Sequence, residues 1–119
     1  MSVLGIGTDI IECLRIAKMI ERHGELFLTR VYTPHEIEYC TARKASTQHY
    51  AGRFAAKEAV RKALGSSFPF REIEIARKNS GEPYALHKKK KLPVSISISH
   101  DAGIAIAVAA ANKGSSRKN

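Results

Sequence analysis

"AGRFAAKEAVRKALG", residues 51–65, is a run of small apolar residues interrupted by cations and by one glutamate. At about 100° per residue it reads as a helix on which Glu58 projects from the same stripe as Ala51, Phe54, Ala55 and Lys62, while Arg53, Lys57 and Arg61 crowd its flank. Gly65 supplies the left-handed cap that ends such a helix, so the spacing predicts a helix over roughly 47–64. A stripe of small residues packs onto a sheet, and the flanking sequence supplies one.

Toward the N-terminus, "VLGIGTDII" (3–11) is β-branched and glycine-containing and reads as a strand whose end carries Asp9. A helix follows, with Leu14, Ala17, Ile20 and Ile16 at inward spacing and Arg15, Lys18, Glu21 and Arg22 facing out. "YTPHEI" starts another: Thr33 is the N-cap, Pro34 takes the first helical position and Glu36 closes a capping box, with the helix predicted to run to about residue 43. Beyond Gly65 the period changes to two. "REIEIAR" alternates, "NSGEP" reads as a hairpin turn and "YALH" pairs back. "VSISISHD" places Val94, Ile96 and Ile98 on one face and Ser95, Ser97 and Ser99 on the other, and "AGIAIAVAAA" follows a short turn. A strand, then helices, then several antiparallel strands define an α+β fold with helices packed on an antiparallel sheet.

The length, 119 residues, suits one domain spanning 1–119, and neither a linker nor an internal repeat divides it. With 44% hydrophobic and 26% charged residues the chain belongs with globular rather than disordered sequences. Long apolar windows and a basic-then-apolar leader are both missing, so the expectation is a cytoplasmic protein without a membrane partner. Cys13 and Cys40 lack ligand or disulfide spacing and read as small core residues. The net charge of +9 points to a polyanionic partner: nucleic acid, anionic lipid, a phosphorylated ligand or an acidic protein. Part of it lies in "HKKKK" (87–91) and "NKGSSRKN", which serve solubility equally well.

Two features carry chemistry. Asp9 and Glu58 are placed to face one another across the helix–sheet interface, and two carboxylates without Cys or His ligands suit a hard cation such as Mg²⁺, whose shell is completed by water and phosphate oxygens. Lys62, one turn beyond Glu58, would project beside that cation, with Arg53, Lys57 and Arg61 extending the positive field. The simpler alternative is a Glu58–Lys62 ion pair worth about 0.3–0.5 kcal/mol, with Asp9 merely ending a strand. Ser99 and His100 are neighbours on a strand, point to opposite faces and so cannot form a nucleophile–base pair; they can donate to a phosphate, or His100 can be an ordinary strand-end histidine. "GIG" lacks the third glycine and the βαβ unit of a dinucleotide fingerprint.

"GIGTDIIE" (5–12), "GRFAAKEAVRKALG" (52–65) and "SISISHD" (95–101), in this order and spacing, resemble the bacterial holo-acyl-carrier-protein synthases, the short branch of the 4′-phosphopantetheinyl transferases. "RVYTPHEIEYC" (30–40) and "EIEIARKNSGEPY" (72–84) extend the resemblance over nearly the whole chain. It implies that family's fold and the transfer of 4′-phosphopantetheine from coenzyme A to a serine of apo-acyl carrier protein, with adenosine 3′,5′-bisphosphate released. By match to the family motifs, Asp9 and Glu58 would hold Mg²⁺, Lys62 would bind phosphate and assist the leaving group, and Glu58, directly or through a metal-bound water, is the candidate base. Arg53, Ser99 and His100 resemble coenzyme A contacts, the last two toward its 3′-phosphate. The family works as a trimer with each active site at a subunit interface, so Ser99 and His100 would serve a neighbour's metal site. Arg15, Lys18 and Arg22, with Met19 between them, would form a basic strip for the acidic carrier. "HGELFLT" is about a residue longer than the family form, which leaves the placement of Phe27 open, and "HKKKKLP" is unusually basic and short.

Two other readings remain on the residues alone. A small basic nucleic-acid-binding protein fits the charge, but only 7% of residues are aromatic and no recognised nucleic-acid motif is present, so the expectation is no nucleic-acid partner. A metal-dependent phosphoesterase would use the same Asp9 and Glu58 with water as the acceptor.

Overall fold

A computed structural model describes residues 3–113. Strand β1 (Val3–Glu12) leads into helices α1 (Cys13–His23), α2 (Glu25–Val31), α3 (Pro34–Thr41) and α4 (Ser46–Leu64). A 3₁₀ turn (Phe70–Glu72) precedes β2 (Ile73–Arg77), β3 (Pro83–His87), β4 (Lys90–Lys91), β5 (Val94–Asp101) and β6 (Ile104–Asn112). The strands form two antiparallel three-stranded sheets, ordered β1-β6-β5 and β2-β3-β4, where the sequence suggested one.

The central helix α4 lies against the first sheet, and sequence explains how closely. The inner face of β6 is Ala105, Ala107, Ala109 and Ala111, the helix answers with Ala51, Ala55, Ala56, Ala59 and Ala63, and all of these are buried. On β1 the inward positions nearest the helix are Gly5 and Gly7. A β-carbon at Gly7 would collide with the carbonyl oxygen of Ala59 and come within 2.8 Å of Ala63 N and Lys62 Cβ. The glycines of "GIG" therefore serve backbone approach between strand and helix rather than a nucleotide loop. Gly65 closes α4 in the left-handed conformation at φ 62°, as the sequence indicated.

The rest of the core is conventional. Ile16, Tyr32, Cys40, Val60, Ile73 and Ile75 are buried, each large apolar side chain contributing about 1.5–3 kcal/mol. Thr33 accepts from Glu36 N and the Glu36 carboxylate accepts from Thr33 N, completing the expected capping box with Pro34 in the first turn. That helix ends at Thr41, two residues short of the expected 43.

Three local expectations need correction. Leu14 is 62% exposed, because α1 begins immediately after β1 and turns Ile16 inward instead. The short helix α2, which no periodicity marked, buries Phe27 and Val31 against the core. Lys57 and Arg53 leave solvent altogether, at 0% and 3% exposure.

Candidate active site

Asp9 sits within β1, opposite Ala107 of β6, on the inner face of the sheet. Its carboxylate is largely covered, and the ammonium of Lys62 from α4 reaches it at 3.7 Å while donating to the Thr8 carbonyl at 2.9 Å. The i,i+4 pair between Glu58 and Lys62 is therefore not the arrangement adopted. Lys62 spans to the sheet, and Glu58 is approached by Arg61 at 3.9 Å. Burial raises the Asp9 pKa above the usual carboxylate range, Lys62 opposes this, and the charge of Glu58 adds to the rise. Asp9 thus feels the charge of Glu58 across the junction of β1 and α4.

A divalent cation fits this donor set. Partial desolvation and mutual repulsion both oppose ionisation of Asp9, and a hard cation between the carboxylates would relieve both. Among the described residues no cluster of three or more His, Cys, Asp or Glu side chains forms.

Of the other cations of α4, Arg61 stays beside Glu58, whereas Lys57 and Arg53 are turned to other partners. Lys57 forms a buried ion pair with Glu36 at 2.6 Å and donates to the carbonyls of Phe70, at 3.0 Å, and Ile73. Glu36 in turn accepts from Ile75 N at 2.7 Å. Burial pushes the Glu36 pKa up and the Lys57 pKa down, while each partner's charge opposes the other's shift. The pair ties α3, α4 and the start of β2 together, so Lys57 is structural. The sequence marked Glu36 only as a cap; the long-range bond to Ile75 left no local signal.

Arg53 takes part in a second polar group. Its guanidinium carbon lies 4.2 Å from the Tyr39 ring centroid, with Arg43 at 3.7 Å from the same ring. His49 meets Tyr39 edge-on at 5.9 Å and His100 at 6.3 Å. Gly52 makes room for the imidazole of His100, since a β-carbon there would lie 2.8 Å from Nε2. Tyr39, Arg43 and His49 carried no motif and were missed by sequence reasoning.

Ser99 is exposed on the outer face of β5 and His100 turns inward, as strand alternation requires. Because β6 separates β5 from β1, Asp9 and β5 stand two strand spacings apart, about 10 Å. Ser99 and His100 are therefore not brought to the Asp9–Glu58 pair of their own chain. Arg15, Lys18, Met19 and Arg22 share the solvent side of α1, as expected.

Asp9, Glu58 and Lys62 are thus gathered at one helix–sheet junction of an α+β fold. The 4′-phosphopantetheinyl transferase superfamily matches residues 5–109. A holo-[acyl-carrier-protein] synthase of Ruminiclostridium cellulolyticum is 45% identical, with 96% of each chain covered. The crystal structure of the holo-[acyl-carrier-protein] synthase from Neisseria meningitidis superposes with a TM-score of 0.83 at 31% identity, covering 94% of this chain and 100% of that one. The Bacillus anthracis enzyme in complex with CoA (3′,5′-ADP) superposes with a TM-score of 0.79 at 36% identity, covering 91% and 95%. The chain belongs to the 4′-phosphopantetheinyl transferase superfamily.

Proposed function

We propose that this protein transfers 4′-phosphopantetheine from coenzyme A to a serine hydroxyl of apo-acyl carrier protein, giving holo-acyl carrier protein and adenosine 3′,5′-bisphosphate. The observation that carries the reading is the Asp9–Glu58–Lys62 arrangement, held at the family's motif positions by the close approach of β1 and α4. Asp9 and Glu58 would hold Mg²⁺, which when bound supplies charge neutralisation at the pyrophosphate. Lys62, already lodged beside Asp9, is placed to bind phosphate oxygen and to stabilise the departing charge. Glu58, a third exposed and held only loosely by Arg61, is the base that takes the serine proton. Arg53, Ser99 and His100 bind coenzyme A.

A homotrimer with active sites between subunits accounts for two features. Leu4, Ile6, Ile10, Ile106 and Val108 expose a continuous apolar face on the outer side of the first sheet, which a monomer would leave in water. Ser99 opens onto that face, on a strand remote from its own chain's Asp9. The basic strip Arg15, Lys18, Met19 and Arg22 suits an acidic carrier protein. The proposed setting is the cytoplasm, in fatty acid biosynthesis; no described helix is long and apolar enough to cross a membrane.

The test is intact mass spectrometry of apo-acyl carrier protein after incubation with the protein, coenzyme A and Mg²⁺, with an EDTA control. The expected outcome is a metal-dependent gain of one phosphopantetheine group, about 340 Da. The Glu58→Gln variant should lose at least about 100-fold in rate, and full activity in that variant would remove Glu58 from its role. Coenzyme A consumed without modification of the carrier would instead favour the phosphoesterase reading.

A further inference from the structure

The 3₁₀ turn that follows α4 sets one aromatic ring against the helix face that carries Glu58. The Phe70 ring meets Phe54 edge-on at 5.2 Å, and the Arg61 guanidinium carbon lies 4.7 Å from its centroid. Phe54, Glu58 and Arg61 follow one another at steps of four and three along α4, so they share a face with Glu58 in the middle. A single half-buried ring therefore touches the neighbours of Glu58 on both sides.

Phe70 is itself firmly placed. Its carbonyl accepts from Lys57 at 3.0 Å, and Lys57 is held in turn by its buried ion pair with Glu36. The contact between Arg61 and Glu58 is long by comparison, 3.9 Å, with both side chains 34% exposed. An ion pair of that length and exposure does not fix two long side chains, because their lost rotamer freedom offsets its energy. Stacking on an aromatic face does restrict a planar guanidinium. The ring, rather than the carboxylate, sets where Arg61 lies.

We propose that Phe70 is a positioning residue for Glu58: it holds Phe54 and Arg61 on either side of that carboxylate, so that Glu58 keeps to the arc facing Asp9 before a cation arrives. This rests on the reading above in which Asp9 and Glu58 hold Mg²⁺. Phe70 touches no reacting atom; it acts by leaving less of Glu58 to be ordered when the metal binds. Were Arg61 only a positive charge near the site, its removal would tighten Mg²⁺ binding. As part of the clamp, its removal weakens it.

The experiment is calorimetric titration with Mg²⁺ alone of the wild type, Phe70→Leu, Phe70→Tyr and Arg61→Met, with transfer kinetics on the same samples. Phe70→Leu keeps an apolar side chain but loses the aromatic face, and its Mg²⁺ Kd should rise about tenfold. Phe70→Tyr keeps that face and should stay within about twofold of wild type. Arg61→Met should also raise the Kd, and the double variant Phe70→Leu with Arg61→Met should lose clearly less than the product of the two separate effects. At saturating Mg²⁺ the kcat of Phe70→Leu should fall about tenfold, with KM for the carrier within about twofold. Val94→Ala, a buried truncation in β5, should lower stability without changing the Mg²⁺ Kd, which separates positioning from general loosening. A wild-type Kd in Phe70→Leu, or an unchanged or lower Kd in Arg61→Met, overturns the inference and leaves the metal reading intact. A wild type that binds no Mg²⁺ removes both. Arg61 lies near solvent, so its variant decides the matter even where Phe70→Leu folds poorly.

Discussion

The Lys62 ammonium bridges α4 to β1, 3.7 Å from the Asp9 carboxylate and 2.9 Å from the Thr8 carbonyl. Helix and strand thus contribute opposite charges to one point, and Glu58 on the same helix adds a second carboxylate whose field Asp9 feels. Such a site is unfavourable for Asp9 alone and favourable once a cation arrives.

The sign of that cost is testable. With its folded-state pKa raised, chiefly by burial, Asp9 favours the protonated form in the fold. Its ionisation therefore costs the metal-free protein stability, a penalty that is full above the raised folded-state value and is relieved as pH falls through it toward the unfolded-state value. Asp9→Asn should melt in EDTA at or above the wild-type temperature, lack the wild-type rise in Tm on adding Mg²⁺, and be inactive. A Mg²⁺-dependent rise retained in the variant, read by thermal shift, would place the cation elsewhere.

The α1 strip predicts a kinetic split. Arg15 and Arg22 are exposed on α1 and take no part in the Asp9–Lys62 contact, so replacing both with Glu should raise KM for apo-acyl carrier protein at least about tenfold by reversing the charge met by an acidic partner. The Kd for coenzyme A should remain within about twofold. Steady-state kinetics and calorimetry read the two separately, and an unchanged KM would take the strip out of the carrier interface.

Glu36 and Lys57 predict a large coupling. Removing one partner from a buried ion pair leaves an uncompensated charge, typically about 3–5 kcal/mol. Lys57→Met and Glu36→Gln should each destabilise strongly in urea unfolding, and the double variant should cost clearly less than the sum of the two. Additive losses would mean that the backbone bonds of Lys57 to Phe70 and Ile73, and of Glu36 to Ile75, carry the stability rather than the pair.

Local signals explain what was legible in the sequence. The capping box at Thr33 and Glu36, the αL stop at Gly65 and the alternation of Val94–His100 act over a few residues, and each appears where expected. The motif positions Asp9, Glu58 and Lys62 also meet where the strand–helix reading placed them. What escaped depends on long-range partners. Lys57 has the same pattern on a helical wheel as Arg61, yet one is buried against Glu36 and the other remains near solvent, because only α3 and the 3₁₀ turn decide which flank is covered. His49 likewise becomes notable only when folding brings Tyr39 and His100 to it.

Gly7 provides the sharpest separation of site geometry from general stability. Its missing side chain lets β1 lie against the Ala59–Ala63 backbone of α4, two residues before Asp9 and directly beside Lys62. Gly7→Ala forces strand and helix apart at the point where Asp9, Glu58 and Lys62 must converge, an overpacking cost of about 1–3 kcal/mol. Gly65→Ala is the matched control. That glycine has φ 62° and nothing near its absent β-carbon, so the change costs about 1 kcal/mol of backbone strain at the helix end without moving β1 against α4. Both variants should lower stability in urea, but Gly7→Ala alone should lose the Mg²⁺-dependent rise in Tm and most of its transfer activity at temperatures where both remain folded. Equal retention of activity in the two variants would show that the strand–helix distance at Gly7 does not set the site.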